Sequence, residues 1–168
     1  METIEKTIEV EAPVSKVYNQ WTQFEEFPQF MEGVKEVRQL DDKHLHWVAK
    51  IAGKEKQWDA EILEQVPDQR IAWRSTTGAA NSGIVHFRPK DHDHTLVTLQ
   101  INYEPEGTTE NVGDALGMIS HRVTGDLKRF RDFIQHRATE TGSWRGEIRS
   151  GSKVAPRRQS DRTGKPGM

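Results

Sequence analysis

Residues 3 to 11 alternate, with Ile4, Ile8 and Val10 on one side and Glu5, Thr7 and Glu9 on the other, the two-residue period of a half-buried strand. Pro13 follows, a residue suited to a helix's first turn because its missing N–H would have no helical partner there. The segment VSKVYNQW predicts a short helix. Thr22 and Glu25 then have capping-box spacing for a second one, FEEF, which Pro28 should end. A strand-like run lies between Gly33 and Leu40. Five more follow, bounded by turn signals at Asp41-Asp42, Ala52-Gly53-Lys54, Pro67-Asp68, Gly78 to Gly83 and Asp91 to Asp93, which predicts consecutive antiparallel hairpins. From about Thr109 the period lengthens to that of a long helix. Val112, Ala115, Leu116, Ile119, Val123, Leu127, Phe130 and Ile134 form one stripe on it, and Gly142 marks its stop.

Hairpin turns set register, and register decides which side chains share a face. With Gly53-Lys54 as a two-residue turn, Trp47 lies opposite Ala60, Ala49 opposite Trp58 and Leu45 opposite Ile62. A two- or four-residue loop at Pro67-Asp68 places Trp58, Ala60, Ile62 and Val66 on one face with Ile71, Trp73 and Ser75. Val85, Phe87, Val97, Leu99, Ile101 and Tyr103 continue that face, while His46, Asp59, Glu61, Arg74, His86, Arg88, Thr98, Gln100 and Asn102 take the other. A sheet with one wet face needs an apolar cover on its other face, and the C-terminal helix is the element long enough to supply it.

Composition narrows the function classes. With no cysteine in 168 residues, disulfides, thiolate metal sites and cysteine nucleophiles are excluded. A net charge of -2 argues against a dedicated nucleic-acid binder. The charge is uneven, however. From Ala138 onward seven basic residues (Arg145, Arg149, Lys153, Arg157, Arg158, Arg162 and Lys165) face three acidic ones, Glu140, Glu147 and Asp161. This Gly-, Ser-, Arg- and Pro-rich segment, residues 142–168, is expected to be a disordered basic tail, a weak handle for an acidic partner, with residues 1–141 as one domain. In the tail Trp144 either docks back on the domain or serves another protein. The start, METIEKTIEVE, has no signal-peptide character and no run is long enough to span a bilayer, so a cytoplasmic protein is expected.

The candidate chemistry is sparse. His44 and His46 share a strand face, but that face is the wet one and no third ligand is fixed, so no metal site is expected. Asp91-His92-Asp93-His94 is accounted for by turn chemistry. His121 falls opposite the helix's apolar stripe. Inward-facing polar groups are few: Lys6, Glu64, Ser75, Tyr103 and, on the helix flank, Arg122. Tyr103 and Arg122 either hold the polar part of a ligand or anchor the edge of a core. No phosphate loop or dinucleotide fingerprint is present, and no cofactor is expected. Trp21, Phe24, Phe27, Phe30 and Met31 crowd together beside Pro28, where they either plug the sheet's open end or form a mouth for an apolar ligand.

The order of elements, together with VEAPVSKVYNQWTQFEEFPQFMEGVKEV at 10–37, WDAEILEQVPDQRIAWRS at 58–75, GIVHFRP at 83–89 and YEPEG at 103–107, resembles the SRPBCC superfamily of START-like, Bet v 1-like and polyketide cyclase/dehydrase proteins. The likeness is greatest to the cyclase/dehydrase branch that also contains coenzyme Q-binding START-domain proteins, and covers about residues 1 to 140. It implies an α+β helix-grip fold: a seven-stranded antiparallel sheet wrapped around a long C-terminal helix, two short helices after the first strand, and an apolar cavity between. In different members that cavity holds lipids, quinones or polyketides, and in a minority it catalyses polyketide cyclisation or dehydration. Some relatives associate with ribosomes, which for this chain would engage the basic tail. No catalytic residue carries over by position.

The expectation is therefore a non-enzymatic carrier of an apolar or amphipathic molecule, with a polyketide aromatase/cyclase as the alternative and an RNA- or ribosome-associated protein as a second. The site is expected at Trp47, Trp58, Trp73, Phe87, Leu99, Tyr103, Leu116, Ile119, Arg122 and Val123, entered near Phe27, Phe30 and Met31. Oligomeric state is left open by the sequence.

Overall fold

A computed structural model describes residues 2–51, 53–78, 80–103 and 112–154. The elements run β1 (Glu2–Val10), α1 (Val14–Trp21), a 3₁₀ helix (Phe24–Gln29), β2 (Val34–Gln39), β3 (His44–Ile51), β4 (Lys54–Val66), β5 (Arg70–Ser75), β6 (Asn81–Asp91), β7 (His94–Tyr103), α2 (Val112–Gln135), β8 (Glu147–Arg149) and β9 (Ser152–Val154). The fold is α+β, with one large antiparallel sheet in the order β1-β7-β6-β5-β4-β3-β2. The seven expected strands are present, but the sheet has nine, because β8 pairs with β4 and β9 with β8.

The face assignment holds although both turns behind it differ. Ile51 pairs with Lys54, so Lys54 already belongs to β4 and the first turn, in which Gly53 has φ +81°, is not Gly53-Lys54. Trp47 consequently faces Trp58, Leu45 faces Ala60 and Ala49 faces Lys56, a shift of two that preserves every side. At the next turn Val66 pairs with Arg70, leaving a three-residue loop that would by itself reverse the faces. A register irregularity between Ile62 and Glu64 restores them, so Ile62 still faces Trp73. Beyond that irregularity Gln65 rather than Val66 stands opposite Ile71, and Gln65 is buried.

The short elements also differ from expectation. The Thr22 hydroxyl donates to the Asn19 carbonyl at 2.6 Å instead of capping the next turn, and Pro28 lies inside the 3₁₀ helix, which runs to Gln29. A 3₁₀ turn tolerates proline there as a short, loosely bonded element. Helix α2 ends at Gln135, before Gly142, where the apolar stripe stops. The Gln135 side-chain carbonyl instead accepts the Glu11 amide at 2.8 Å.

Apolar packing and a polar seam together seat α2 on the sheet. Val123, Leu127, Phe130 and Ile134 are buried in the main core cluster with Val10, Val97, Leu99, Val85, Phe87 and Ile71. Arg122, Asp126 and Arg129, at helical spacing, line the seam. Arg122 donates to the Lys50 carbonyl (2.7 Å), Asp126 accepts the Glu32 amide (3.0 Å) and Arg129 donates to the Phe30 carbonyl (2.8 Å). Gly33, at φ +92°, makes room for Arg122, since a Cβ there would sit 2.4 Å from its Nη1. Burial pushes the Asp126 carboxyl up, opposed by its bonds from Arg129 and Glu32.

The segment after Gly142 corrects the expectation of a disordered tail as far as Val154; residues 155–168 lie outside the described ones. Where β3 no longer covers β4, Ile148 pairs with Gln65 and is wholly buried, and the Gly151 amide donates to the Leu63 carbonyl at 2.8 Å. Trp144 docks back against the core, its amide held by the Thr22 hydroxyl at 3.1 Å. Gln20, buried, exchanges two hydrogen bonds with Thr141, at 3.0 and 2.9 Å. The tail's low hydropathy hid two apolar anchors, Trp144 and Ile148, and a run of polar ties.

Two outcomes follow for stability. Ile148→Ala should lower unfolding stability by about 2–5 kcal/mol in urea titration, as for a core aliphatic, whereas a free tail would leave the midpoint unchanged. Gly83→Ala should cost about 1–3 kcal/mol by overpacking, because a Cβ there would meet Trp73 Cζ2 at 2.4 Å and the Gln100 carbonyl at 2.8 Å.

Candidate ligand-binding site

The concave face divides into a filled end and a less covered one. At the filled end aromatic rings meet edge to face: Trp21 with Phe130 at 4.9 Å, Phe30 with Phe130 at 5.3 Å, Tyr18 with Phe87 at 5.3 Å and Phe24 with Phe27 at 5.5 Å. Phe27, Phe30, Phe87, Leu99 and Val123 are all buried in this cluster. Phe27 and Phe30 therefore form a floor, and Met31 beside them is half-buried.

At the other end the same face carries Trp47, Trp58, Trp73, Ile101 and, across from them on α2, Ile119, all of them only half-buried. Trp47 and Trp58, opposite one another on β3 and β4, stack with ring centroids 5.7 Å apart and planes 6° from parallel. Trp47 also leans on Phe27 at 5.7 Å, which joins this end to the floor. Trp73 spreads over Gly83, its partner on β6, whose missing side chain leaves the ring its space. Trp47, Trp73, Ile119 and Met31 each pack against the core cluster, and Trp58 joins them through its stack on Trp47. Leu116 lies on α2, but its side chain is outside the described residues.

The two polar candidates behave differently. Arg122 donates to the Lys50 carbonyl and serves the helix seam. Tyr103 is 9% exposed, its hydroxyl is buried without a hydrogen-bond partner, and burial pushes its pKa up, so it stays protonated as a donor. The Trp47 indole N–H is likewise buried and unpartnered. Sequence reading placed Trp47 on this face for its area and missed the N–H, because whether a donor finds a partner depends on tertiary neighbours that no spacing encodes. Tyr18, at the filled end, lies under the Arg145 guanidinium at 5.4 Å, and burial pushes its hydroxyl up to about 12.

The remaining candidates are outward. His46 pairs with Asp59 at 2.6 Å and His44 with Asp41 at 2.9 Å, on the wet face. His94 pairs with Asp91 at 2.8 Å across the His92-Asp93 turn; that bond holds the Asp91 carboxyl down and the imidazole up. His121 is exposed. Among the described residues no cluster of three or more His, Cys, Asp or Glu is arranged to hold a metal ion, and no helix is long and apolar enough to cross a membrane. In the tail, Arg145 pairs with Asp68 (2.8 Å), Lys153 with Asp42 (2.8 Å) and Arg149 with Glu147.

Comparison with known proteins places this geometry. Residues 10–131 match the family described as polyketide cyclase/dehydrase and lipid transport. An uncharacterized 17.2 kDa protein of Streptomyces lincolnensis is 50% identical over 149 residues, covering 88% of this chain and 99% of its own. Two solved structures share the fold. A START superfamily protein from Mycobacterium smegmatis has a TM-score of 0.67 at 17% identity, over 78% of this chain and 98% of that one. The Zhui aromatase/cyclase from a Streptomyces species has a TM-score of 0.69 at 15% identity, over 85% and 99%. With a strand-and-helix order, a gripped C-terminal helix and a family match across most of its length, this chain belongs to the polyketide cyclase/dehydrase and lipid transport family.

Proposed function

We propose that the protein binds an apolar or amphipathic small molecule, of lipid, quinone or polyketide type, between the tryptophan end of the sheet and α2. One observation carries this reading. Trp47, Trp58 and Trp73 face inward yet keep part of their surface uncovered, while the other end of the same face is packed shut. Large aromatic surface left half-covered inside a fold is stabilised by a ligand that covers it, and sites of this kind are mostly apolar with a few placed polar groups.

Binding without turnover is the reading the polar groups support best. General acid or base work needs a titratable group held by an orienting partner. Tyr103 has none, and Arg122 is committed to a backbone carbonyl. Among the described residues, the aromatase/cyclase alternative rests on Tyr103, whose protonated hydroxyl would polarise a ligand carbonyl. Family membership is compatible with either role.

Protein purified without detergent should show a saturable quench of tryptophan fluorescence on titration with a long-chain fatty acid or a polyaromatic, and native mass spectrometry should show a one-to-one complex. Trp58→Ala, which removes a half-buried ring outside the core cluster, should weaken binding about tenfold, the scale of one aromatic contact. No saturable quench with either probe, together with a clean apo mass, would reject the proposal.

A further inference from the structure

We infer that the wet, convex face of the sheet carries a second binding site, separate from the aromatic one, which takes a phosphate group between Arg70 on β5 and Arg88 on β6.

Gln69, Arg70, His86, Phe87, Arg88 and Thr98 line a cleft of about 410 Å³ on that face. The volume lies within the range of small-molecule sites, roughly 300–1,000 Å³. Strand pairing builds the cleft. Arg70 stands directly opposite His86, Arg88 follows two residues along the same side of β6, and on the other flank β7 places Thr98 opposite His86 and Leu96 opposite Arg88. The lining is therefore rich in N–H donors and contains no carboxylate.

Elsewhere on this face the charges are matched. His46 meets Asp59, Arg74 meets Glu61, Lys35 meets Glu55 and Lys90 meets Glu9, at 2.6, 3.3, 3.3 and 2.9 Å. His86 and Arg88 are the exception: both are exposed, and neither has a hydrogen-bonding or ionic partner among the described residues. Arg70 and Arg88 are diagonal neighbours across the strand pair, a spacing of roughly 7–8 Å that long side chains can close. Like charges so placed repel, and an anion between them turns that repulsion into attraction.

Arg70 is already oriented. Its Nε donates to Glu64 at 2.9 Å and its Nη1 to the Gln69 side-chain carbonyl at 3.3 Å, which leaves Nη2 for a ligand. Glu64 offsets part of the Arg70 charge, whereas Arg88 has no such offset. The Phe87 amide donates to the Gln69 backbone carbonyl at 2.8 Å, so the turn bearing Gln69 is tied to the strand bearing His86 and Arg88. A guanidinium fork matches phosphate oxygens with two parallel bonds, and a dianion satisfies two arginines at once.

Titration of ¹⁵N-labelled protein with inorganic phosphate and with phenyl phosphate, at an ionic strength held constant with potassium chloride, tests this. The amide resonances of residues 70 and 86–88 should move saturably with both probes. Arg88→Gln should weaken phosphate binding about tenfold, the scale of one hydrogen bond to a charged group. Arg38→Gln removes the same charge from an exposed position on the same face, beside Glu36, and should leave the affinity unchanged. Tighter binding of phenyl phosphate assigns the group to a phosphate ester, and equal affinities assign it to the free ion. Shifts no larger than those potassium chloride alone produces, or equal losses in the two variants, overturn the inference.

Discussion

The fold turns on one junction of rings. Phe130, wholly buried on α2, takes the edge of Trp21 from α1 and of Phe30 from the end of the 3₁₀ helix, and Trp21 passes the contact to Phe87 on β6. Four separate parts of the chain are fixed to one another there, at geometries aromatic pairs prefer. The junction lies in the C-terminal half of α2 and fixes that part of the helix against α1, the 3₁₀ helix and β6. The polar seam at Arg122, Asp126 and Arg129 ties the same helix to the backbone of β3 and of the stretch before β2.

Much of this was legible in the pattern of apolar positions. The concave face survived two wrong turns because strand periodicity has only two states: a shift of two residues changes partners and no sides, and the odd loop at Pro67–Gln69 was offset by the irregularity after Ile62. What the pattern does not contain is pairwise geometry. The Trp47–Trp58 stack depends on Lys54 pairing with Ile51 instead of lying in the turn, a one-residue distinction around Gly53. Arg122 was open between holding a ligand's polar part and anchoring the edge of the core, and its partner is a backbone carbonyl, a group with no sequence signature.

The candidate site was legible to the same extent. The shared face of its aromatic residues follows from register, and the strand pairing keeps them on one face. Phe27 and Phe30, read as a plug or a mouth, lie in the floor. The division into filled and half-covered ends was invisible, because how much of a ring its neighbours cover is set by tertiary packing and not by the spacing of apolar positions.

Residues 147–154 also bear on how the edge of the sheet is covered. The stretch of β4 beyond Glu61 has no neighbour in β3, and β8 occupies it. Without that strand the sheet would offer an unpaired row of backbone groups, the kind of template on which other chains add. The family match stops at residue 131, inside α2 and before Trp144 and Ile148. A domain boundary drawn at the end of that match would cut away part of helix α2 and the strand that covers this row of β4, whereas the likeness to the Streptomyces lincolnensis protein spans 88% of the chain and extends past residue 131.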